Sequence, residues 1–254
     1  KNSFEYKSEL ELKRYEKRFS KLALYVSLEK YLQISLTWGA LTGIRPVKMA
    51  RDLGDGFEKD FAEIFSVTPK KINLVKEILS VQEPFYDKYS KYSGLFIGIP
   101  FCPSRCLYCS FVSEIISKSP HTDAYVSALV KEINALEIGD NLRSVYVGGG
   151  TPVCLSNSQF ESVLKAVKNK IKAGVEFTVE AGRPDVITEE KLKIMKDYGV
   201  TRICVNPQTF NDKTLNILGR NHTSKQTEEK YMLAKEFGFD INMDLIAALP
   251  EASF

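Results

Sequence analysis

Apolar positions change their spacing near residue 93. Ahead of that point, Tyr15, Phe19, Leu22, Tyr25, Val26 and Leu32 recur at helical intervals and predict an amphipathic helix over roughly residues 6–32. A turn-rich connector follows in Trp38-Gly39-Ala40-Leu41-Thr42-Gly43-Ile44-Arg45-Pro46. Thr68 as N-cap and Pro69 at the first helical position predict a helix to about Leu79. Phe57–Leu79 thus reads as two short helices, but without the basic recognition face of a DNA-reading pair. Beyond residue 93 the pattern becomes strand, loop, helix, repeated. The strands are expected at Leu95–Ile99, Ser144–Val147, Val175–Val179, Arg202–Val205 and Ile241–Ile246. Helices are expected around Tyr125–Leu136, Phe160–Ile171, Leu192–Tyr198, Thr214–Leu218 and Lys225–Phe237. Strands separated by helices imply a parallel sheet, expected to be buried on both faces.

These units begin near 95, 144, 175, 201 and 240, too few for a closed eight-unit barrel. The expected organisation is a helical segment over residues 1–93 and an open, barrel-like α/β core over 94–254. Pro250-Glu251-Ala252-Ser253-Phe254 stands where a fifth helix is due, so the chain reads as a fragment of a longer protein.

Composition narrows the field. Over 254 residues, 44% are hydrophobic and 26% charged, as in globular proteins with a sizeable core. A net charge of +3 without a basic stripe gives no reason to expect a nucleic-acid partner. No apolar run approaches the ~18–20 residues of a membrane span, and KNSFEYKSELELKRYEK is polar throughout; the expectation is a cytoplasmic protein with no membrane partner. Five cysteines, three of them at Cys102, Cys106 and Cys109, fit metal binding in a reducing compartment better than a disulfide framework.

In parallel βα architectures, chemistry gathers at the C-terminal ends of strands. The cysteine run follows the first expected strand, Gly148-Gly149-Gly150-Thr151-Pro152 the second, Glu180 the third and Gln208 the fourth, and Asp244 lies near the end of the fifth. Soft thiolates select zinc or iron–sulfur clusters. Zinc needs a fourth ligand; His121 is a candidate, although Ser119-Pro120-His121-Thr122 reads as an exposed helix start. Three cysteines spaced four and three apart favour a cubane cluster held from one loop, with one iron left open. The glycine run lacks P-loop and dinucleotide spacing. It reads either as a tight turn or as bare backbone approaching a small ligand. Cys154 and Cys204 read as buried small hydrophobes, Arg202 as a lumen or salt-bridged residue, and His222 as a loop hydrogen-bonder.

With Cys-x3-Cys-x-Tyr-Cys after the first strand and Gly-Gly-Gly-Thr-Pro after the second, the chain resembles the radical S-adenosylmethionine (SAM) superfamily. More narrowly it is similar to the oxygen-independent coproporphyrinogen III oxidase family, HemZ-type (coproporphyrinogen dehydrogenase) branch. That likeness extends through Val179–Asp185, Val205–Asp212, Gly219–Thr223 and Met243–Ile246, and through Trp38-Gly39 and Thr42–Pro46. It implies a partial radical-SAM (β/α) barrel with about five of six parallel strands, without the last strand and the C-terminal substrate domain. Cys102, Cys106 and Cys109 would hold a [4Fe-4S] cluster whose fourth iron chelates SAM. Gly149, Gly150 and Thr151 would line the methionine end. Glu180 would accept from the ribose or amino group, and Arg220 would pair with the carboxylate. Gln208 and Asp244 would contact the ribose, and Tyr108 and Ile246 would flank the adenine. The implied activity is oxidative decarboxylation of coproporphyrinogen III in haem synthesis, fed by a flavodoxin- or ferredoxin-type electron donor. The same resemblance leaves open a haem-binding chaperone, or another radical reaction on a tetrapyrrole such as methyl transfer or ring opening. Gly98 and Phe111 depart from the histidine and cysteine of the best-known members, next to the second SAM or the substrate.

Overall fold

Ser8 accepts a hydrogen bond from the Glu11 N–H (3.2 Å) and opens α1 (Glu9–Leu32), with Glu9 and Glu11 complementing the helix dipole. This is a computed structural model; it describes residues 8–41, 45–89 and 91–251, and its chain divides into two compact units, 1–90 and 91–254.

In the first unit, α1 buries none of its residues. Tyr15, Phe19, Leu22 and Tyr25 are half-covered, whereas Val26 and Leu32 are exposed. The helix exists as expected, but its apolar stripe is not a core face. Pro46 starts α2 (Pro46–Leu53) inside the expected connector, of which Thr42, Gly43 and Ile44 lie outside the described residues. Next come α3 (Phe57–Glu63) and α4 (Pro69–Tyr89), the latter running past Leu79 and through Pro84. The Thr68 hydroxyl donates to the Thr37 carbonyl (3.0 Å), so it ties two loops together. Met49, Ala50, Phe57, Phe61, Phe65 and Val75 form the unit's own core, with edge-to-face rings at 5.2 Å (Phe57–Phe61) and 6.0 Å (Phe61–Phe65).

The second unit runs β1 (Ser93–Ile99), β2 (Phe101–Cys102), β3 (Glu114–Ile115), α5 (Thr122–Ala135), β4 (Leu142–Gly149) and α6 (Asn157–Lys168). It continues with β5 (Glu176–Gly182), α7 (Glu189–Asp197), β6 (Arg202–Val205), α8 (Asp212–Ile217), α9 (Ser224–Glu236) and β7 (Asp240–Asn242). One five-stranded sheet has the order β1-β4-β5-β6-β7, every pair parallel. Its strands are those expected, except that β7 stops at Asn242, with pairing resumed at a single bridge between Gln208 and Leu245. Ser156 and Gln159 close a capping box on α6, and Thr223 and Gln226 another on α9, which fixes where each helix leaves its strand.

Burial alternates along β1 and much of β4, while β5 and β6 are buried at successive positions. Ile97, Ile99, Val145, Val147, Phe177, Val179, Ile203 and Val205 pack with Ile133, Phe160, Leu164, Leu192 and Met195 of the helices. Between them Phe96, Gly98, Tyr146 and Glu180 stay half-covered or exposed. The expectation of two buried faces holds in the central strands, where Thr178 and Cys204 are buried as well as their neighbours, whereas Phe96, Tyr146 and Glu180 leave the second face open toward polar groups and a cavity at its C-terminal end. Arg202 settles as a salt-bridged residue, 3.5 Å from Glu176 and 3.6 Å from Asp240. Among the described residues no helix is long and apolar enough to cross a membrane.

Candidate functional site

The loop bearing the three cysteines leaves β1 and is pinned at both ends. The short parallel pair β2–β3 brackets it, and the Glu114 N–H donates to the Pro100 carbonyl (2.8 Å). Neither two-residue strand was expected, since such short elements leave no periodicity to read. The turn after β4 lies against the start of this loop. Gly150 N–H donates to the Ile99 carbonyl (2.8 Å) and Thr151 N–H to the Phe101 carbonyl (2.7 Å). A Cβ on Gly150 would stand 2.4 Å from the Phe101 oxygen and 3.0 Å from the Cys102 Sγ. Bare backbone is thus needed first so that two loops of the protein can meet. The Thr151 hydroxyl sits 3.7 Å from the Cys102 Sγ.

Glu180, at the end of β5, is held on both oxygens. Tyr146 donates its hydroxyl to Oε1 (2.6 Å), and the Gly149 N–H donates to Oε2 (3.1 Å). Gly148 makes this possible, because a Cβ there would meet the Tyr146 ring at 2.5 Å and the Glu180 carboxyl at 2.9 Å. Each carboxylate oxygen retains a lone pair for a ligand donor. Gln208, in the left-handed region at φ 67°, donates its N–H to the Asp244 carbonyl (3.0 Å) and accepts from the Ile246 N–H (2.9 Å). The residues marked on strands four and five are therefore joined through their backbones.

Arg220 is 6% exposed. Its guanidinium donates to the Tyr108 hydroxyl (2.9 Å) and the Asn206 carbonyl (2.6 Å) and lies 3.9 Å from the Cys106 Sγ. Its Nε has no hydrogen-bond partner, and no carboxylate pairs with it among the described residues. Burial raises the pKa of the Tyr108 phenol. Burial and the Glu180 carboxylate both push that of Tyr146 up, so both hydroxyls remain donors at neutral pH. Burial pushes the Cys154 thiol up to about 12, with the nearby Cys102 adding to the shift, and burial also raises Cys204. Cys204 is buried as expected, whereas Cys154 is half-buried. His222 is different: it is buried, neither ring nitrogen has a hydrogen-bond partner, and burial lowers its pKa to about 4. The Asp185 carboxylate approaches its Nδ1 to 4.0 Å and, with the Pro207 backbone, opposes that shift.

A cavity of about 170 Å³ opens at the strand ends. Cys102, Cys106, Cys109, Tyr108, Gly149, Gly150, Thr151, Glu180, Gln208, Arg220 and Asp244 all line it. Ile246 does not; it is half-buried behind Gln208. Asn206 and Arg183 also line the cavity and were not singled out from sequence, although both sit inside motifs at strand ends, which was the available signal. His121 caps α5, is exposed and lies off the cavity, which removes the fourth zinc ligand. No group of three or more His, Cys, Asp or Glu among the described residues is arranged to hold a single metal ion. Three thiols around a cavity, beside a buried guanidinium without a counter-ion, instead fit an anionic cluster and a carboxylate-bearing ligand.

The profile of the radical SAM superfamily matches residues 96–253. Over 245 residues the chain is 36% identical to the oxygen-independent coproporphyrinogen-III oxidase-like protein HemZ of Bacillus subtilis, covering 88% of this chain and 48% of that one. Over 163 residues it is 40% identical to the heme chaperone HemW of Lactococcus lactis, covering 63% and 42%. The coproporphyrinogen III oxidase HemN of Escherichia coli, a radical SAM enzyme, superimposes with a TM-score of 0.57 at 26% identity, over 67% of this chain and 42% of that one. The chain thus spans about half the length of the curated relatives it matches. Proteins of this superfamily use a [4Fe-4S] cluster and SAM.

Proposed function

The chain belongs to the radical SAM superfamily, and from that premise we propose that it is the radical-generating part of an oxygen-independent coproporphyrinogen III oxidase of the HemZ type. The observation that carries the reading is the convergence of three thiols, the glycine turn and the counter-ion-free Arg220 on one cavity at the strand ends. Similarity to HemZ over 88% of the chain supports the choice of substrate.

When bound, the cluster and SAM supply reductive cleavage of the sulfonium, a source of a carbon radical that takes a hydrogen atom from substrate. Cys102, Cys106 and Cys109 would hold three irons of the cluster. Arg220, which lines the cavity with no carboxylate partner among the described residues, would pair with the SAM carboxylate, where a planar guanidinium suits a planar acceptor. Glu180, fixed by Tyr146 and Gly149, accepts from the amino group or ribose. Gln208 and Asp244 would meet the ribose, and Tyr108 would give the adenine an aromatic face. The substrate's propionate would lose a hydrogen atom to the SAM-derived radical, then carbon dioxide, with one electron passing to an external acceptor, to become a vinyl, twice over, giving protoporphyrinogen IX. A reduced flavodoxin- or ferredoxin-type protein supplies the cluster's electron. Free thiols at the cavity suit a reducing compartment such as the cytoplasm.

A haem chaperone is the second reading, favoured by the 40% identity to HemW and by Gly98 and Phe111 beside the cavity. The test uses the full natural protein, loaded anaerobically with iron and sulfide and given dithionite, SAM and coproporphyrinogen III. Formation of 5′-deoxyadenosine together with loss of carbon dioxide from the porphyrin supports the oxidase. SAM cleavage with an unchanged porphyrin refutes that substrate. Tight haem binding with no SAM turnover supports the chaperone instead.

A further inference from the structure

Ser104 sits midway between Cys102 and Cys106, and the structure grips it from two sides. The Arg183 guanidinium donates to its Oγ (2.6 Å) and to its carbonyl (3.3 Å), while the Ser104 hydroxyl donates to the Gly219 carbonyl (3.3 Å). Arg183 is 4% exposed and cannot swing, because its other nitrogens fork onto both oxygens of Asp185, at 3.0 and 2.8 Å. The pair lies just beyond β5, in the motif Gly182-Arg183-Pro184-Asp185, to which the cluster and SAM chemistry assigns no task. One further bond, from the Leu107 N–H to the Leu218 carbonyl (3.1 Å), continues the tether.

From these contacts we infer that Arg183 is a positioning residue for the cluster. Locked by Asp185, it clamps Ser104 and so sets the separation of the first two cysteine ligands before any iron arrives. A buried guanidinium paired bidentately has one orientation and holds it. A loop of this length carrying three free thiols otherwise depends on few bonds of its own, the Cys109 N–H to Cys106 carbonyl turn (3.1 Å) among them. Partners behind metal ligands govern retention by about 10- to 100-fold. The inference rests on the cluster assignment and on no particular substrate.

The test compares Arg183→Lys, Ser104→Ala and the double variant with the unsubstituted chain. Each is loaded anaerobically with iron and sulfide, and the rate of iron release to a chelator is followed by loss of the cluster's visible absorption. Amide hydrogen exchange of residues 104–109 is measured in the metal-free chains. The expected result is iron release at least roughly tenfold faster in Arg183→Lys. A smaller increase is expected in Ser104→Ala. The double variant should be no worse than Arg183→Lys, and exchange at Leu107 should be faster in all three. Ser104→Ala leaves the Arg183–Asp185 pair intact, so it remains a folded probe if Arg183→Lys does not fold. Release and exchange at the unsubstituted rates in a folded Ser104→Ala chain overturn the clamp, as do independent, additive effects of the two substitutions. If the unsubstituted chain takes up no cluster, the cofactor reading fails instead, and the exchange data alone decide the clamp.

Discussion

Replacing Gly150 by alanine places a methyl group between two loops that already touch. The new Cβ would stand 2.4 Å from the Phe101 carbonyl oxygen, 2.9 Å from that of Ile99 and 3.0 Å from the Cys102 Sγ. Two of those neighbours are backbone atoms and cannot turn aside. The backbone must part, which strains or breaks the bonds from Gly150 N–H (2.8 Å) and Thr151 N–H (2.7 Å). Overpacking costs about 1–3 kcal/mol, and two weakened hydrogen bonds add about 1–3 kcal/mol, so a loss of roughly 2–6 kcal/mol is expected. Because the displaced segment carries Cys102, iron loading should fall with it. Gly98→Ala is the control, since its Cβ would meet only the Phe96 ring at an ordinary 3.7 Å. Anaerobic urea unfolding and iron content after reconstitution read both effects. A Gly150→Ala chain as stable and as iron-loaded as Gly98→Ala would refute the argument.

Three further outcomes follow from the site. His222 has a folded pKa near 4 against 6.5 when unfolded, so the unfolded chain binds the extra proton first. Its stabilising contribution is complete above pH 6.5 and disappears as pH falls toward 4, on the order of 3 kcal/mol. Urea titrations across that window should show a loss in the native chain that His222→Leu lacks, and parallel curves would contradict the assignment. Tyr146→Phe removes the donor that fixes Glu180 Oε1, so equilibrium dialysis should find SAM binding weakened roughly tenfold, with little change in Tm. Cys154→Ser and Cys204→Ser should retain full iron after reconstitution, whereas serine at Cys102, Cys106 or Cys109 should not; equal losses at all five would undo the ligand assignment.

Much of the second unit was legible because its strands announce themselves. Ile97/Ile99 and Val145/Val147 alternate with residues of the open face, and helical spacing between the strands separates one unit from the next. The cysteine spacing and the positions at strand ends located the cavity. What escaped depends on contacts distant in sequence. Arg183 reaches Ser104 across 79 positions, and Tyr146 reaches Glu180 across 34, neither of which any local pattern encodes. Strands β2 and β3 are too short to show a period, and α2 is a short eight-residue helix set between the turn formers of 38–46 and Gly54-Asp55-Gly56. The stripe on α1 has helical spacing yet no buried residue, because periodicity reports a face and not what covers it.

The central claim is that the three thiols of one loop hold a [4Fe-4S] cluster that cleaves SAM. The most direct measurement follows the anaerobically reconstituted chain by electron paramagnetic resonance, reduced with dithionite, before and after SAM is added, with 5′-deoxyadenosine quantified in the same samples. The account predicts about four irons per chain, a reduced-cluster signal that changes shape when SAM binds the open iron, and 5′-deoxyadenosine that disappears in Cys106→Ala. A full cluster whose signal ignores SAM, with no 5′-deoxyadenosine formed, would contradict it.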